Sequence, residues 1–427
     1  MKVVCKDKCD LQTQIEAKTY YFSFFENSGN LNIGTIGLGL LKNFKKKGVT
    51  PSPLVFDFLR IGLAINAADQ VCDRSHSPDG WTRQIELEVS LCNPEKWEDT
   101  KEDIIKLLRK LTGDFWSLSL TQSNKEFKWD IPHPSKLKPY EGTTCISLLS
   151  GGMDSLIGGI DLCENGEKPL FISQVVKGDR QKQIQYAKAL KSTDKHFQWS
   201  HATRLKSRGE RSSRARSIVF YSFALVASEL LDPNASKRII VPENGFISLN
   251  VPLNLGRFGS LSTKTTHPII LKGLENIWRK VGLDIQLINP YQFLTKGEMI
   301  KYCKNTKLLK IYISTTTSCS RYLTYGYKHC GRCVPCLVRR AAFKAGGISD
   351  RTKEYVVKKI AKGGIEKDAN DISAVAMACI MRDKKGVKYF RGALAFADAE
   401  NYSRYEKVVD TGIFELQALL QQHKVIS

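Results

Sequence analysis

The stretch CISLLSGGMDSLIG, Cys145 to Gly158, limits the fold more than any other part of the chain. A short apolar run enters Ser150-Gly151-Gly152, and a helical pattern begins at once. The same rhythm then repeats. PLFISQVV reads as a strand and RQKQIQYAKALKS as a helix, KHFQWSHA as a strand, and RSSRARSIVFYSFALVASELL as a long helix. KRIIVPE and LDIQLINPY read as two further strands. Strands alternating with helices predict an α/β fold with a parallel, doubly wound sheet. Ligands of such sheets sit outside the C-terminal strand ends, where the strand order reverses.

Residues 1–140 read as a separate accessory unit of α+β type. SPLVFDFLRIGLAINAADQV has helical spacing, RQIELEVSL alternates with Ile85, Leu87, Val89 and Leu91 on one face, and a helix ending near Gly113 leads to the strand DFWSLSLTQ. WDIPHPSKLKPYEG, with three prolines, predicts an extended linker. The reading thus gives an accessory unit over 1–140, the alternating unit with its cysteine site over 141–348, and a helical C-terminal extension over 349–427.

The Ser150–Ser155 turn suits an anion. Glycines let a ligand approach the backbone, and the first amides of a helix carry unpaired N–H groups and partial positive charge. Ser150, Gly151, Gly152, Met153, Asp154 and Ser155 are therefore candidate nucleotide-binding residues, with serine hydroxyls as extra donors. The turn lacks the Gly-Lys-Ser/Thr ending of a Walker loop. Asp154 does not attract phosphate by itself; a carboxylate here suits Mg²⁺ held against a pyrophosphate.

Cys319, Cys330, Cys333 and Cys336 form the one tight group among twelve cysteines. Two overlapping C-x2-C turns and an upstream thiolate suit a closed tetrahedral Zn²⁺ site of structural type, although the spacing leaves an iron–sulfur cluster open. His329 reads as a packed neighbour rather than a ligand.

The hexamer S-G-G-x-D-S resembles the signature of the PP-loop ATP pyrophosphatases, which have the HUP-type adenine nucleotide α-hydrolase fold. The resemblance implies ATP and attack of a substrate oxygen on the α-phosphate, with Asp154 and Ser155 at the chemistry. Together with SCSRYLTYGYKHCGRCVPCLVRRAAFKAGGI and NPYQFLTKGEMI, roughly Thr144 to Ile348 resembles the 7-cyano-7-deazaguanine synthase (QueC-like) family. Those enzymes activate the carboxylate of 7-carboxy-7-deazaguanine, form an amide with ammonia and dehydrate it to a nitrile. The N-terminal unit and the insertion Pro242–Pro268 depart from that pattern. They look like the QueC-like branch of the Qat anti-phage defence systems. That likeness implies a changed acceptor, the N-terminal amine of a partner protein. An acyl-adenylate is open to any neutral amine held near it, and an α-amine with a pKa of about 8 is partly neutral near pH 7.

Other candidates follow from position and chemistry. Arg211 and Arg214 lie in the basic run Arg204–Ser217, where guanidinium forks would neutralise triphosphate, and the resemblance places such a segment near ATP. Lys177 follows the second strand of the repeat, where adenosine lies in this fold. Glu243 and Asn244 follow a strand end; the Glu243 carboxylate suits the N1–H and N2–H₂ donors of a guanine-like edge. Lys264 and His267 lie in a polar run and would meet phosphate or carboxylate.

There are 65 Lys and Arg residues against 43 Asp and Glu, a formal charge of +22, which favours anionic partners without choosing among them. A tRNA-modifying PP-loop enzyme remains open on that ground, as does a nucleotide-sensing scaffold; nucleic acid is not the favoured partner. No run of 18 apolar residues argues for a membrane span, and the N-terminus lacks a signal-peptide core. A cytosolic protein without a membrane partner is expected.

Overall fold

The computed structural model describes residues 1–11, 16, 18–129, 132–204, 209–210, 214–232, 236–253, 264–361 and 371–427. Two five-stranded sheets carry the fold. In the first, β1 (Lys2–Lys6), β2 (Thr19–Phe24), β3 (Ile33–Ile36), β4 (Gln84–Leu91) and β5 (Phe115–Gln122) lie in the order β3-β2-β1-β4-β5. Every pair is parallel. This corrects the α+β class expected for the first unit to α/β. Of its strands, sequence had shown only β4 and β5, because β1 to β3 are short and carry no long alternation. In β4 the alternation holds as expected, with Ile85, Leu87, Val89 and Leu91 buried.

Helix α1 (Leu40–Lys47) follows β3, α2 (Pro53–Val71) crosses back to β4, and α3 (Lys101–Thr112) joins β4 to β5, ending on Gly113 at φ 77°. A four-residue helix, α4 (Pro134–Leu137), and a 3₁₀ turn (Lys138–Tyr140) interrupt the expected linker.

The second sheet has β6 (Cys145–Leu148), β7 (Pro169–Gln174), β8 (His196–Trp199), β9 (Lys237–Ile240) and β10 (Ile285–Ile288), in the order β10-β9-β6-β7-β8 and again parallel throughout. Helices α5 (Met153–Glu164), α6 (Arg180–Ala189) and α7 (Arg216–Ala227) follow β6, β7 and β8. Strand order reverses between β6 and β9, so the crevice expected for a ligand opens at their C-terminal ends.

The two sheets are joined through α2 and α7. Nearly every side chain of both helices is buried, with no polar face, which is the pattern of a helix covered on all sides. They approach so closely that a β-carbon on Gly62 would stand 2.3 Å from Ser222 Oγ. Buried apolar side chains from both sheets form one continuous cluster, from Val3 through Phe58 to Phe223 and Leu287.

Beyond β9 come α8 (Gly245–Ser248), α9 (Pro268–Lys280), α10 (Lys296–Tyr302), α11 (Thr306–Tyr312), α12 (Val334–Ala345), α13 (Ile372–Lys385) and α14 (Ala399–Gln422). The last two, with a 3₁₀ segment at Val387–Leu394, bury a second apolar cluster against α12 and the Phe246–Leu253 segment. Among the described residues no helix is long and apolar enough to cross a membrane.

Candidate active site and metal centre

The turn after β6 is shaped by its own serines. Ser150 Oγ accepts from the Gly152 amide at 3.0 Å and lies 2.9 Å from Ser155 Oγ, which accepts from the Ser150 amide at 3.1 Å. Gly152 caps α5 in an extended conformation, and Met153 is buried beneath the turn. Gly151 has no room for a side chain, since a β-carbon would stand 2.4 Å from Asp179 Oδ1. Asp179 accepts from Thr317 Oγ1 at 2.8 Å, and the Thr317 amide donates to the Gly151 carbonyl at 2.7 Å. The segment that leads into the cysteine cluster is therefore laced to the glycine turn. The first amides of α5 have no partners within their own helix, which is the general condition for an anion site at a helix start.

Asp154 is buried in the first turn of α5. One oxygen accepts from Lys296 Nζ at 2.6 Å; the other accepts from Asn244 Nδ2 at 2.8 Å and from the Asn244 amide at 3.2 Å. Asn244 belongs to the loop after β9, across the switch point, and caps α8 through the Ile247 amide at 3.0 Å. Both carboxylate oxygens of Asp154 are thus engaged by protein groups, and a Mg²⁺ on Asp154 would have to share or displace one of them.

Two lysines were given no role from sequence, although one of them, Lys296, lies in the NPYQFLTKGEMI segment. Lys296 is the first residue of α10, held there by a capping box in which Thr295 and Glu298 each satisfy the other's amide at 3.1 and 2.8 Å. The spacing Thr295-x-x-Glu298 carried that signal. Lys182 Nζ reaches Thr317 Oγ1 at 2.5 Å and Tyr322 Oη at 3.0 Å, and lies 4.3 Å from the centre of the Tyr322 ring. It sits on α6 without a motif, and only the fold brings it to the glycine turn.

Of the substrate candidates, Glu243 points to Thr266, whose hydroxyl donates to its carboxylate, while its amide donates to Asn289 Oδ1 at 3.3 Å. Lys177 is exposed in the loop after β7. Lys264 Nζ reaches the Lys110 carbonyl, in the last turn of α3, at 3.4 Å. His267 caps α9 through the Ile269 amide at 3.3 Å and packs on Phe396. Burial, helped by Lys110 and Lys264, pulls its pKa down to about 4, so the ring is neutral at pH 7. Lys264 and His267 line a cleft of about 550 Å³ with Lys110, Asn250 and Phe396, one short helix away from Asn244.

The phosphate-facing role expected for Arg214 does not fit its position. Arg214 is buried in the first unit, over the Trp81 ring at 5.0 Å, with its amide on Asp69 Oδ2 at 2.6 Å and its guanidinium near the Thr112 carbonyl at 3.4 Å. Burial next to Arg74 pushes its pKa down to about 10. The basic run turns toward the first sheet before α7 begins, which spacing alone did not reveal. Arg211 lies outside the described residues.

The four sulfurs of Cys319, Cys330, Cys333 and Cys336 are buried and lie within 4.8 Å of one another. Cys319 and Cys333 are 4.0 Å apart, Cys330 and Cys336 3.8 Å. Four thiolates at about 2.3 Å from one Zn²⁺ stand about 3.8 Å apart, so the set fits a tetrahedral ion. The Cys330 amide donates to Cys319 Sγ and the Cys333 amide to Cys330 Sγ, each at 3.3 Å, which stabilises thiolate charge. His329 accepts from the Ser318 amide at 3.2 Å and is a packed neighbour, as expected. Arg339 is buried and donates to Thr316 Oγ1 at 2.7 Å and to the Ile313 carbonyl at 3.1 Å, which pins the segment between knuckle and glycine turn.

A family model described as Queuosine biosynthesis protein QueC matches residues 269–347. The QueC match contains the four cysteines and Thr295–Glu298 and begins after the Ser150–Ser155 turn. A 7-cyano-7-deazaguanine synthase of Saccharolobus solfataricus is 24% identical over 262 residues, 55% of this chain and 52% of that protein. One of Acetivibrio thermocellus is 32% identical over 143 residues, 33% of this chain and 57% of that protein. The chain thus spans about half the length of these QueC-like relatives. No solved structure matches it.

Proposed function

We propose that the chain is an ATP-dependent, QueC-like ligase that adenylates the carboxylate of 7-carboxy-7-deazaguanine and passes the acyl group to an amine. The observation that carries this reading is the Asp154 cluster. A buried carboxylate at the start of the helix behind a glycine turn holds a lysine and an asparagine across the switch point. In this reading the leaving pyrophosphate lies on the first amides of α5, within reach of Lys182 and Lys296, and the substrate oxygen attacks the α-phosphate. Charge builds on the phosphate oxygens as the bond to pyrophosphate breaks, and preoriented amides and ammonium groups stabilise it. Mg²⁺ travels with the nucleotide. Zn²⁺ on the four cysteines supplies rigidity, because a closed thiolate set has no open position for chemistry. Glu243 serves as reader of the guanine-like edge.

The acceptor in this proposal is the N-terminal amine of a partner protein, in a defence setting, with residues 1–140, the Pro242–Pro268 insertion and residues 349–427 as docking parts. Attack by an amine on the acyl-adenylate breaks the anhydride, releases AMP and forms a secondary amide, which cannot lose water to a nitrile. A second reading takes ammonia as acceptor, since the relatives are named as nitrile synthases. Incubation with ATP, Mg²⁺ and 7-carboxy-7-deazaguanine, with and without proteins encoded alongside, separates the two by mass spectrometry. An adduct on a protein N-terminus supports the first, free nitrile the second. Absence of acid-dependent exchange between pyrophosphate and ATP refutes both.

A further inference from the structure

Asp154 depends on two loops, one carrying Asn244 and the other Lys296, and the same helix near the C-terminus presses on both. Three residues of α14, Val408, Gly412 and Glu415, are spaced four and three apart and so share one face. Val408 packs on Gly245, where a β-carbon would come within 3.2 Å of its side chain. Gly412 lies against Phe246 so tightly that a β-carbon would stand 2.3 Å from the ring. Both contacts fall just after Asn244. One turn on, buried Glu415 accepts a hydrogen bond from Thr295 Oγ1. The Gly297 backbone lies against the same carboxylate, where a β-carbon would stand 2.4 Å from Glu415 Oε1. These contacts bracket Lys296 on both sides. Two further contacts hold the approach to this loop: Tyr405 Oη on Gln292 Oε1 at 3.0 Å, and the Arg404 guanidinium over the Phe293 ring at 3.5 Å. Glu415 lies outside the stretch that the QueC model matches.

We propose that Glu415 is a positioning residue that fixes Lys296 against Asp154, so that the C-terminal helix is a working part of the nucleotide site. The inference rests on the proposed function in one respect, that Lys296 meets the phosphates of ATP. Glu415 does not touch the nucleotide. It acts by holding the Thr295–Gly297 backbone, and a misplacement of about 1 Å at such a remove can cost about 100-fold in rate.

The test compares full-length wild type with Glu415→Ala, Glu415→Gln, Lys296→Ala and the double variant Glu415→Ala/Lys296→Ala. It reads calorimetric ATP affinity, acid-dependent pyrophosphate exchange and melting temperature. Glu415→Ala is expected to weaken ATP binding and slow exchange by about 10-fold or more, while Glu415→Gln, which keeps an acceptor oxygen, stays within about 3-fold. In the Lys296→Ala background, Glu415→Ala is expected to cost almost nothing further, because residues that act as a unit are not additive. Equal costs in both backgrounds would show that Glu415 only stabilises the fold, and would overturn the proposal. Wild-type ATP binding that Glu415→Ala leaves unchanged would overturn it alone, whereas a wild type that binds no ATP removes the proposed function with it. If Glu415→Ala does not fold, Glu415→Asp, which withdraws the carboxylate by one methylene, is read in the same cycle.

Discussion

Replacing Glu415 by glutamine keeps its shape and its acceptor for Thr295 but removes its charge, and the consequence for stability can be worked out. Burial pushes the Glu415 carboxyl up from 4.5 to about 7; the Thr295 hydroxyl pulls against this and the neighbouring Glu298 adds to it. In the unfolded chain the group loses its proton near its ordinary value, whereas the folded chain keeps it until about pH 7. Between these values the folded state binds more protons, so stability falls as pH rises, and the loss is complete above about pH 7. The gap is worth about 3 kcal/mol at full ionisation. Glutamine cannot ionise, so the stability of wild type relative to Glu415→Gln should drop by about 3 kcal/mol between pH 4.5 and pH 8. For one cooperative unit of this length that is about 3 °C in melting temperature. Scanning calorimetry of both proteins at the two pH values measures it, and titrating groups remote from Glu415 cancel in the comparison. A melting-temperature difference that stays the same at both pH values would refute the reasoning, and with it the claim that the α14 carboxylate is held away from water.

Other outcomes follow from the same geometry. Gly151→Ala should leave the melting temperature near wild type yet weaken ATP binding by about 10-fold or more in calorimetry, since the new methyl group would displace Asp179 from the turn. Purified protein should carry about one zinc per chain by elemental analysis, and Cys333→Ser should lose the metal together with several degrees of melting temperature. Lys182→Ala should slow pyrophosphate exchange by about 100-fold while circular dichroism stays unchanged, as expected for a charge that acts on the transition state. Gly62→Leu should prevent α2 and α7 from meeting and should cost about 3 kcal/mol or more, seen as loss of soluble protein or a collapsed melting transition.

Much of the second sheet was legible because its signals are local. The elements read for β6 to β10 with α5 to α7 stand where apolar runs and helical spacing put them, and the four cysteines meet as their C-x2-C turns require. The first three strands were not legible, since runs of four to six residues without alternation resemble any buried segment. The places of Arg214 and His267 were not legible for a related reason. A cation or an imidazole reads the same in sequence whether it faces a ligand or fills a polar niche, and here one is buried in the first unit while the other caps a helix.

Sequence by itself determined the parallel alternation, the glycine turn at the head of a helix and the four-cysteine knuckle, all of which rest on local patterns, the longest step in the knuckle being the 11 positions from Cys319 to Cys330. Only the tertiary structure decided that Lys182, Lys296 and Asn244 gather around that turn, with Glu415 packed behind Lys296. Their partners lie 135, 142, 90 and 120 positions away along the chain. Contacts over such separations are set by how helices pack on a sheet, and no spacing rule along the chain records them.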